Sequence, residues 1–359
     1  DKCMDNVPLY QQIKEYIKKQ IQTGELRIGD LVLSEREIME KFYVSQITAK
    51  NALNGLAEEG VVERIRGKGT FVLDCDLAKK SAVPMYCMKK ESNGLIGLVL
   101  PNMKTRIEQE FVDYIELYAS RCKFNVIIKI TRESQSEESN AIDMLRAWGA
   151  RGLIIFPTEK EAYNESILRL ALDKFPLVLI DRYLENIRTY SVSSENEQGT
   201  FDAVSYLLDQ GHRRIGLIST LLTNTATNER AHGFERAFLN KKLVIDKNLW
   251  LLINFHCISM EETPQLIQQF LVAHPEITAL FIMNAELARY TNKAMEIMKQ
   301  DSSRKVELVS FDPTGIKEIS YIEQNIKACS KYTLELLQEQ LKGDYNPRRV
   351  FVPVVYVKG

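Results

Sequence analysis

The residues with the most legible chemistry stand at the start of one short helical pattern. Ser45 has the type of a helix N-cap, and Gln46, Ile47, Thr48 and Lys50 follow it directly. A glutamine side chain can bond adenine twice, an isoleucine suits a thymine methyl, and a lysine suits a phosphate or guanine. A second cluster, Arg64, Arg66, Gly67, Lys68 and Gly69, occupies a tight turn between apolar runs at 61–65 and 70–73. Exposed backbone flanked by cations at such a tip can lie against a phosphate or enter a minor groove. Net charge does not support this reading, because residues 1–72 carry 11 Lys/Arg and 11 Asp/Glu. The placement of these residues carries it instead.

The elements that must hold these residues follow from the apolar spacing. Ile13, Ile17 and Ile21 repeat every four positions, which predicts a first helix closed by Gly24. Ser34 and Glu37 form a capping-box pair for a second helix over 35–42, with Ile38, Met39 and Phe42 on its apolar side. After the short turn at Tyr43 and Val44, a third helix spans about 46–58, buries Ala49, Ala52, Leu53 and Leu56, and stops at Gly60. Two short helices joined by a turn and followed by a β-hairpin make a winged helix-turn-helix, whose second motif helix fits a major groove.

Beyond residue 94 the texture becomes βα alternation. Apolar runs at 95–100, 124–130, 152–156, 177–181, 214–219, 251–255, 279–283 and 306–311 predict strands, with helical patterns between most of them. Strands this apolar imply a parallel sheet covered on both faces. A stretch of this length suits two doubly wound lobes rather than one sheet. Such sheets bind ligands at the carboxyl ends of their strands, which singles out Asn102, Thr158, Arg182, Asn284 and Asp312. Glu159 and Glu161 read as surface residues. Between the two textures, 74–94 has weak periodicity, Lys pairs and Ser92-Asn93-Gly94, and reads as a linker.

The totals narrow the classes. A chain of 359 residues with 45% hydrophobic and 26% charged residues and a net charge of −1 has room for two or three globular domains. No apolar run reaches membrane-spanning length, and the start of the chain has no apolar leader core, so neither a membrane partner nor secretion is expected. Cys3, Cys75, Cys87, Cys122, Cys257 and Cys329 are scattered, and the four histidines form no ligand pair. Reduced thiols in a cytoplasmic protein, no metal and no cofactor are the expectation.

The N-terminal pattern, PLYQQIKEYIKKQIQTGEL followed by GDLVLSEREIMEKFYVSQITAKNALNGLAEEGVVERIRGKGTFV, resembles the GntR-family DNA-binding domain over its whole length. The resemblance implies DNA contacts from Arg36, Gln46, Thr48, Lys50, Gly67 and Gly69. The family usually has arginine at the positions of Gln46 and Lys50, and the two side chains are not equivalent in paired contacts. The operator sequence therefore departs from the family's usual pattern or is read differently.

The remainder resembles a LacI/GalR-type effector domain, which is related to periplasmic sugar-binding proteins. The steps that carry the resemblance are IGLVLPNM, RGLIIFPT, LVLIDRY, LLDQGHRRIGLIS, NERAHGFERAF, ALFIMNAELA, LVSFDP and FVPVVYVK. A GntR-type reader joined to a LacI-type sensor is the arrangement of the arabinose-repressor group. The resemblance implies an α/β fold: residues 1–73 as winged helix-turn-helix, 74–94 as linker, and 95–359 as a two-lobed, periplasmic-binding-protein-like domain with doubly wound parallel sheets. It also implies a non-enzyme: a homodimeric repressor that binds an operator and is released by a carbohydrate-like effector between the lobes. Ligand contacts map onto Thr158, Arg182, Arg230, Asn284, Asp312 and Gln324. Two departures keep other readings open. Ala285 stands where the family has an acid, which allows a pocket without a ligand. Lys104 and Arg106 stand in an altered first loop, which allows an anionic sugar phosphate or sugar acid. For Arg230 the competing reading is a structural salt bridge across the lobes. A fusion to a pyridoxal-phosphate enzyme, which some GntR-type readers carry, finds no Schiff-base lysine constellation here.

Overall fold

The computed structural model describes residues 8–65, 67–73, 92–159, 164–255, 257–298 and 305–359. Arg66, Glu161, His256, Cys3, Cys75, Cys87 and most of the expected linker lie outside the described residues. The chain divides into two compact units, Asp1–Lys90 and Glu91–Gly359.

The first unit contains α1 (Leu9–Gln22), α2 (Glu35–Phe42), α3 (Gln46–Glu58) and the antiparallel hairpin β1 (Val62–Ile65) and β2 (Gly69–Val72). Local chemistry sets these limits. The Ser34 hydroxyl accepts from the Glu37 N–H while the Glu37 carboxylate accepts from the Ser34 N–H, a closed capping box at the start of α2. Ser45 caps α3 by accepting from the Thr48 N–H. Ile13, Ile17, Ile38, Ala49, Ala52, Leu53 and Leu56 form one core with Val61, Val62 and Val72 from the hairpin.

The second unit contains two six-stranded sheets. In the first lobe, β3 (Gly94–Leu100), β4 (Phe124–Ile130), β5 (Ala150–Ile155), β6 (Leu177–Ile180), β7 (Ser191–Ser194) and β13 (Arg349–Val352) run in the order β13-β7-β6-β5-β3-β4, all parallel. In the second, β8 (Ile215–Thr220), β9 (Trp250–Ile253), β10 (Ala279–Ile282), β11 (Glu307–Phe311), β12 (Ser320–Glu323) and β14 (Val355–Val357) run in the order β14-β12-β11-β10-β8-β9. Only β14 is antiparallel.

Helices cover both faces of each sheet, as the apolar runs require. On the first lobe, α4 (Arg106–Arg121) and α11 (Ile326–Leu341) cover one face, and α5 (Gln135–Ala147) and α6 (Glu165–Leu172) cover the other. On the second, α7 (Asn196–Asp209) and α8 (Thr225–Asn240) face α9 (Thr263–Ala273) and α10 (Ala285–Met298) across the sheet. The chain passes between the lobes three times, at β7 to α7, at β12 to α11 and at β13 to β14. These crossings are the hinge, and the Ser194 hydroxyl bonds the Gln324 side-chain oxygen across it at 2.6 Å.

Candidate DNA-reading face and effector cleft

On the first unit, α3 presents its start to solvent. Gln46 and Lys50 are exposed, Ile47 is 72% exposed, and Thr48 is half-buried because its backbone and hydroxyl both engage Ser45. An isoleucine this exposed gains nothing from the core, so its side chain is available to a partner. Arg36 at the start of α2 has a side chain 88% exposed and among the described residues pairs with Glu40, one turn along, in a bond of 2.9 Å. Such a pair is weak and easily exchanged for a phosphate.

The wing behaves differently. Arg64 is bound by Glu35 of α2 and by Asn54 of α3, so it fastens the hairpin to the helices rather than standing free at the tip. Gly67 and Lys68 are exposed at the turn, where the Lys68 N–H closes onto the Ile65 carbonyl at 3.0 Å. Gly69 has a structural reason for its identity. Its φ is 122°, and a Cβ there would lie 2.5 Å from a Leu31 methyl.

The second unit has a cleft of about 180 Å³ at the carboxyl ends of both sheets. Arg106, Arg182, Arg230, Asn284, Asp312 and Gln324 line it together. The remaining expected contact, Thr158, lines an adjoining cavity of about 230 Å³, and its N–H bonds the Glu138 carboxylate at 2.9 Å. Sequence spacing placed Thr158 correctly at a strand end but could not show which side of the Arg182 wall it occupies.

Each side chain in the cleft is fixed by its element. Arg230 lies in α8, which Asn224 caps by accepting from the Thr227 N–H. It is buried, donates to the Asn196 side-chain oxygen at 2.9 Å and to the Met283 carbonyl at 2.6 Å, and stacks over Phe311 at 3.6 Å. These partners all belong to the second lobe, so the salt bridge across the lobes that was the competing reading is not how Arg230 is held. Asn284 spends its oxygen on the Leu287 N–H at 2.8 Å, which leaves its amide N–H groups to the cleft.

Asp312 follows β11 with a φ of 74° and accepts from the Gln324 amide at 2.8 Å. Burial pushes its carboxyl up to about 6, against the opposing pull of Arg230 and Gln324. Arg106 bonds Glu110 at 2.6 Å and reaches Glu323 of the second lobe at 3.6 Å. Arg182 donates to the Pro157 carbonyl at 2.8 Å and stands 3.5 Å from Glu133.

Two cleft residues escape sequence reasoning. Asp181 follows β6 as Asp312 follows β11, with a φ of 64° and 9% exposure. Glu159, expected at the surface, instead crosses to the second lobe. Its carboxylate accepts from Thr220 at 3.3 Å and Asn224 at 3.1 Å, and its carbonyl accepts from Thr223 at 3.2 Å. Burial raises the Glu159 carboxyl, with Arg182 opposing. Nearby, the Tyr183 N–H bonds the Thr225 hydroxyl at 3.2 Å and the Tyr183 hydroxyl bonds Glu229. Only the position of Asp181 after an apolar run was available as a signal. Among the described residues, no group of His, Cys, Asp and Glu could hold a metal ion, and no helix is long and apolar enough to cross a membrane.

The pattern described as "Periplasmic binding proteins and sugar binding domain of LacI family" matches residues 93–309, and that described as "Bacterial regulatory proteins, gntR family" matches residues 9–72. The chain belongs to the LacI-type family and carries a GntR-family reader. It is a DNA-binding transcription regulator and not an enzyme. The regulator is 24% identical over 321 residues to the arabinose metabolism transcriptional repressor of Halalkalibacterium halodurans, covering 88% of this chain and 83% of that one. It is 24% identical over 316 residues to the ribose operon repressor of the same organism, covering 86% and 90%. A putative ribose operon repressor from Burkholderia thailandensis shares the fold of the regulator's second unit at a TM-score of 0.65 and 23% identity, covering 74% of this chain and 99% of that one.

Proposed function

We propose that the regulator is a repressor released from its operator when a small carbohydrate-like effector fills the cleft. In this reading residues 1–73 read DNA, 74–94 connect, and 95–359 sense the effector and dimerise in the cytoplasm. The observation that carries it is the shared cleft: both sheets direct polar strand ends into one cavity, spanned by three hinge crossings. An effector that binds the closed arrangement more tightly shifts the regulator toward it. In a dimer, closure changes the separation of two readers that must meet half-sites about 34 Å apart.

The reader contacts are Arg36, Gln46, Ile47, Thr48, Lys50, Gly67, Lys68 and Gly69, supported by the exposure of all but Thr48. Arg66 belongs to the same turn in sequence. The ligand contacts are Arg106, Arg182, Arg230, Asn284, Asp312 and Gln324, supported by their common cavity, with Thr158 adjoining. Exposed Ile128 on edge strand β4 and Leu252 on edge strand β9 supply apolar surface for a second copy. The names of the arabinose and ribose repressors support a sugar as effector.

The ligand-free reading has one observation in its favour: Glu159 and Tyr183 already tie the lobes together. The test separates the two. Arg230→Ala should abolish effector-induced release in an operator gel-shift while leaving operator affinity unchanged. Release that persists in this variant removes Arg230 from the effector site, and a wild-type chain that no sugar releases favours the ligand-free reading.

A further inference from the structure

The cleft is lined by four guanidinium groups and five carboxylates. The guanidiniums are committed to the protein. Arg106 is held by Glu110 and Glu323, and Arg182 by Pro157 and Glu133. Arg289 bonds the Thr314 carbonyl and Glu286, while Arg230 bonds Asn196 and Met283. An incoming phosphate or carboxylate would add negative charge to a cleft that already holds one carboxylate more than it has guanidiniums.

The carboxylates are less committed. Glu108 is filled by the Lys104 and Thr105 N–H groups, Glu286 by Arg289, and Glu159 by Thr220 and Asn224. Asp312 receives one bond, from Gln324. Asp181 is nine-tenths buried, and among the described residues no donor bonds its carboxylate. The two aspartates hold equivalent places in the two lobes. Each follows a central strand, each has a left-handed φ, and each fixes its backbone N–H on the next strand, Asp181 to Val192 and Asp312 to Ile322, both at 2.9 Å. A buried carboxylate without a donor is unfavourable, and a bound cation relieves that cost more fully than a neutral hydroxyl does.

We infer that the effector is a hydroxylated ammonium compound, an amino sugar or similar polyol amine, whose cationic nitrogen lies between Asp181 and Asp312. This rests on the effector-cleft reading above. Burial raises both carboxyls, with Arg230 opposing at each and Arg182 at Asp181, and an ammonium between the two acids would add to that opposing pull. The hydroxyls of the same compound meet the Asn284 amide and the remaining Arg230 N–H donors.

The test uses the full chain and pairs of similarly shaped probes that differ in charge, in calorimetry. Tris and pentaerythritol share a tris(hydroxymethyl)methyl core and differ in one ammonium exchanged for a hydroxymethyl. Glucosamine and glucose form a second pair, and glycerol 3-phosphate is the anionic control. Each amine should bind roughly tenfold or more tightly than its neutral counterpart. Asp181→Asn, checked for an unchanged thermal melt, should bring that ratio toward one. Equal or tighter binding of the neutral partner, preference for the phosphate, a ratio that survives Asp181→Asn, or no amine binding at all each overturns the inference. Ala285→Trp, which fills the cleft, tells the two failures apart. Neutral sugar binding that this variant abolishes leaves the cleft reading standing and removes only the amine, whereas binding that survives it removes the cleft reading as well.

Discussion

At the residue scale, Asp312 links chemistry to stability. Its carboxyl is raised by burial, with Asp181 and Glu286 reinforcing and Arg230 and Gln324 opposing. A carboxyl whose folded value, about 6, exceeds its unfolded value near 3.8 favours the folded state most at low pH. That advantage is lost as pH rises from about 4 through about 6. Asp312→Asn keeps the oxygen that Gln324 bonds and tolerates a left-handed φ. It should therefore raise the melting temperature of the effector unit at pH 7, by roughly 1–3 kcal/mol of stability, and leave it unchanged near pH 4. Tyr43 is a second residue-scale outlier. It closes α2 at a φ of 53° while 94% exposed, so its ring returns no packing energy for a conformation that glycine adopts freely. Tyr43→Gly should stabilise the reader by about 1 kcal/mol in urea melts. A loss of stability would show that the exposed ring packs on something.

At the element scale, Arg230 depends on how closely α8 approaches α7. Gly233 lies at that contact, and a Cβ there would meet the Glu197 carbonyl oxygen at 2.2 Å. Backbone cannot yield as a side chain does, so Gly233→Ala should cost about 2 kcal/mol or more by overpacking. It should also weaken effector binding, because α8 must shift with Arg230 on it. An alanine variant with wild-type stability and affinity would show that the pair of helices can slide. The helices of the reader were legible because caps and apolar spacing are local: the limits 35–42 and 46–58 follow from Ser34, Glu37 and Ser45. Strand β6 was legible for a similar reason, as an uninterrupted apolar run. The strands Ser191–Ser194 and Ser320–Glu323 were not legible. Segments of four residues, one of them serine-rich, are too short to establish a period, and neighbours in the sheet supply their ladders.

At the scale of the whole molecule, what matters is how the two lobes are tied. Glu159 and Tyr183 of the first lobe bond Thr220, Asn224, Thr225 and Glu229 of the second, on the cleft side of the hinge. The double variant Glu159→Ala, Tyr183→Phe removes side-chain bonds without touching the hinge strands. Small-angle scattering of the effector unit should then show a larger radius of gyration in the absence of ligand, and effector affinity should fall because closure must be made anew. An unchanged radius would place the closing force in the hinge itself.

The sequence by itself determined the two-part plan, the reader's helices and hairpin, the parallel character of the sheets, and most strand-end polar residues. Each of these follows from spacing along the chain, where caps, turns and apolar periods act between near neighbours. The tertiary structure alone decided which polar residues share a cavity. It placed Thr158 beyond the Arg182 wall, bound Arg64 within the reader, carried Glu159 across to the other lobe, and left the Asp181 carboxylate without a donor. Those outcomes depend on groups far apart in the chain meeting where water is excluded, and a hydrogen bond or a charge acquires its value there from partners that no local pattern specifies.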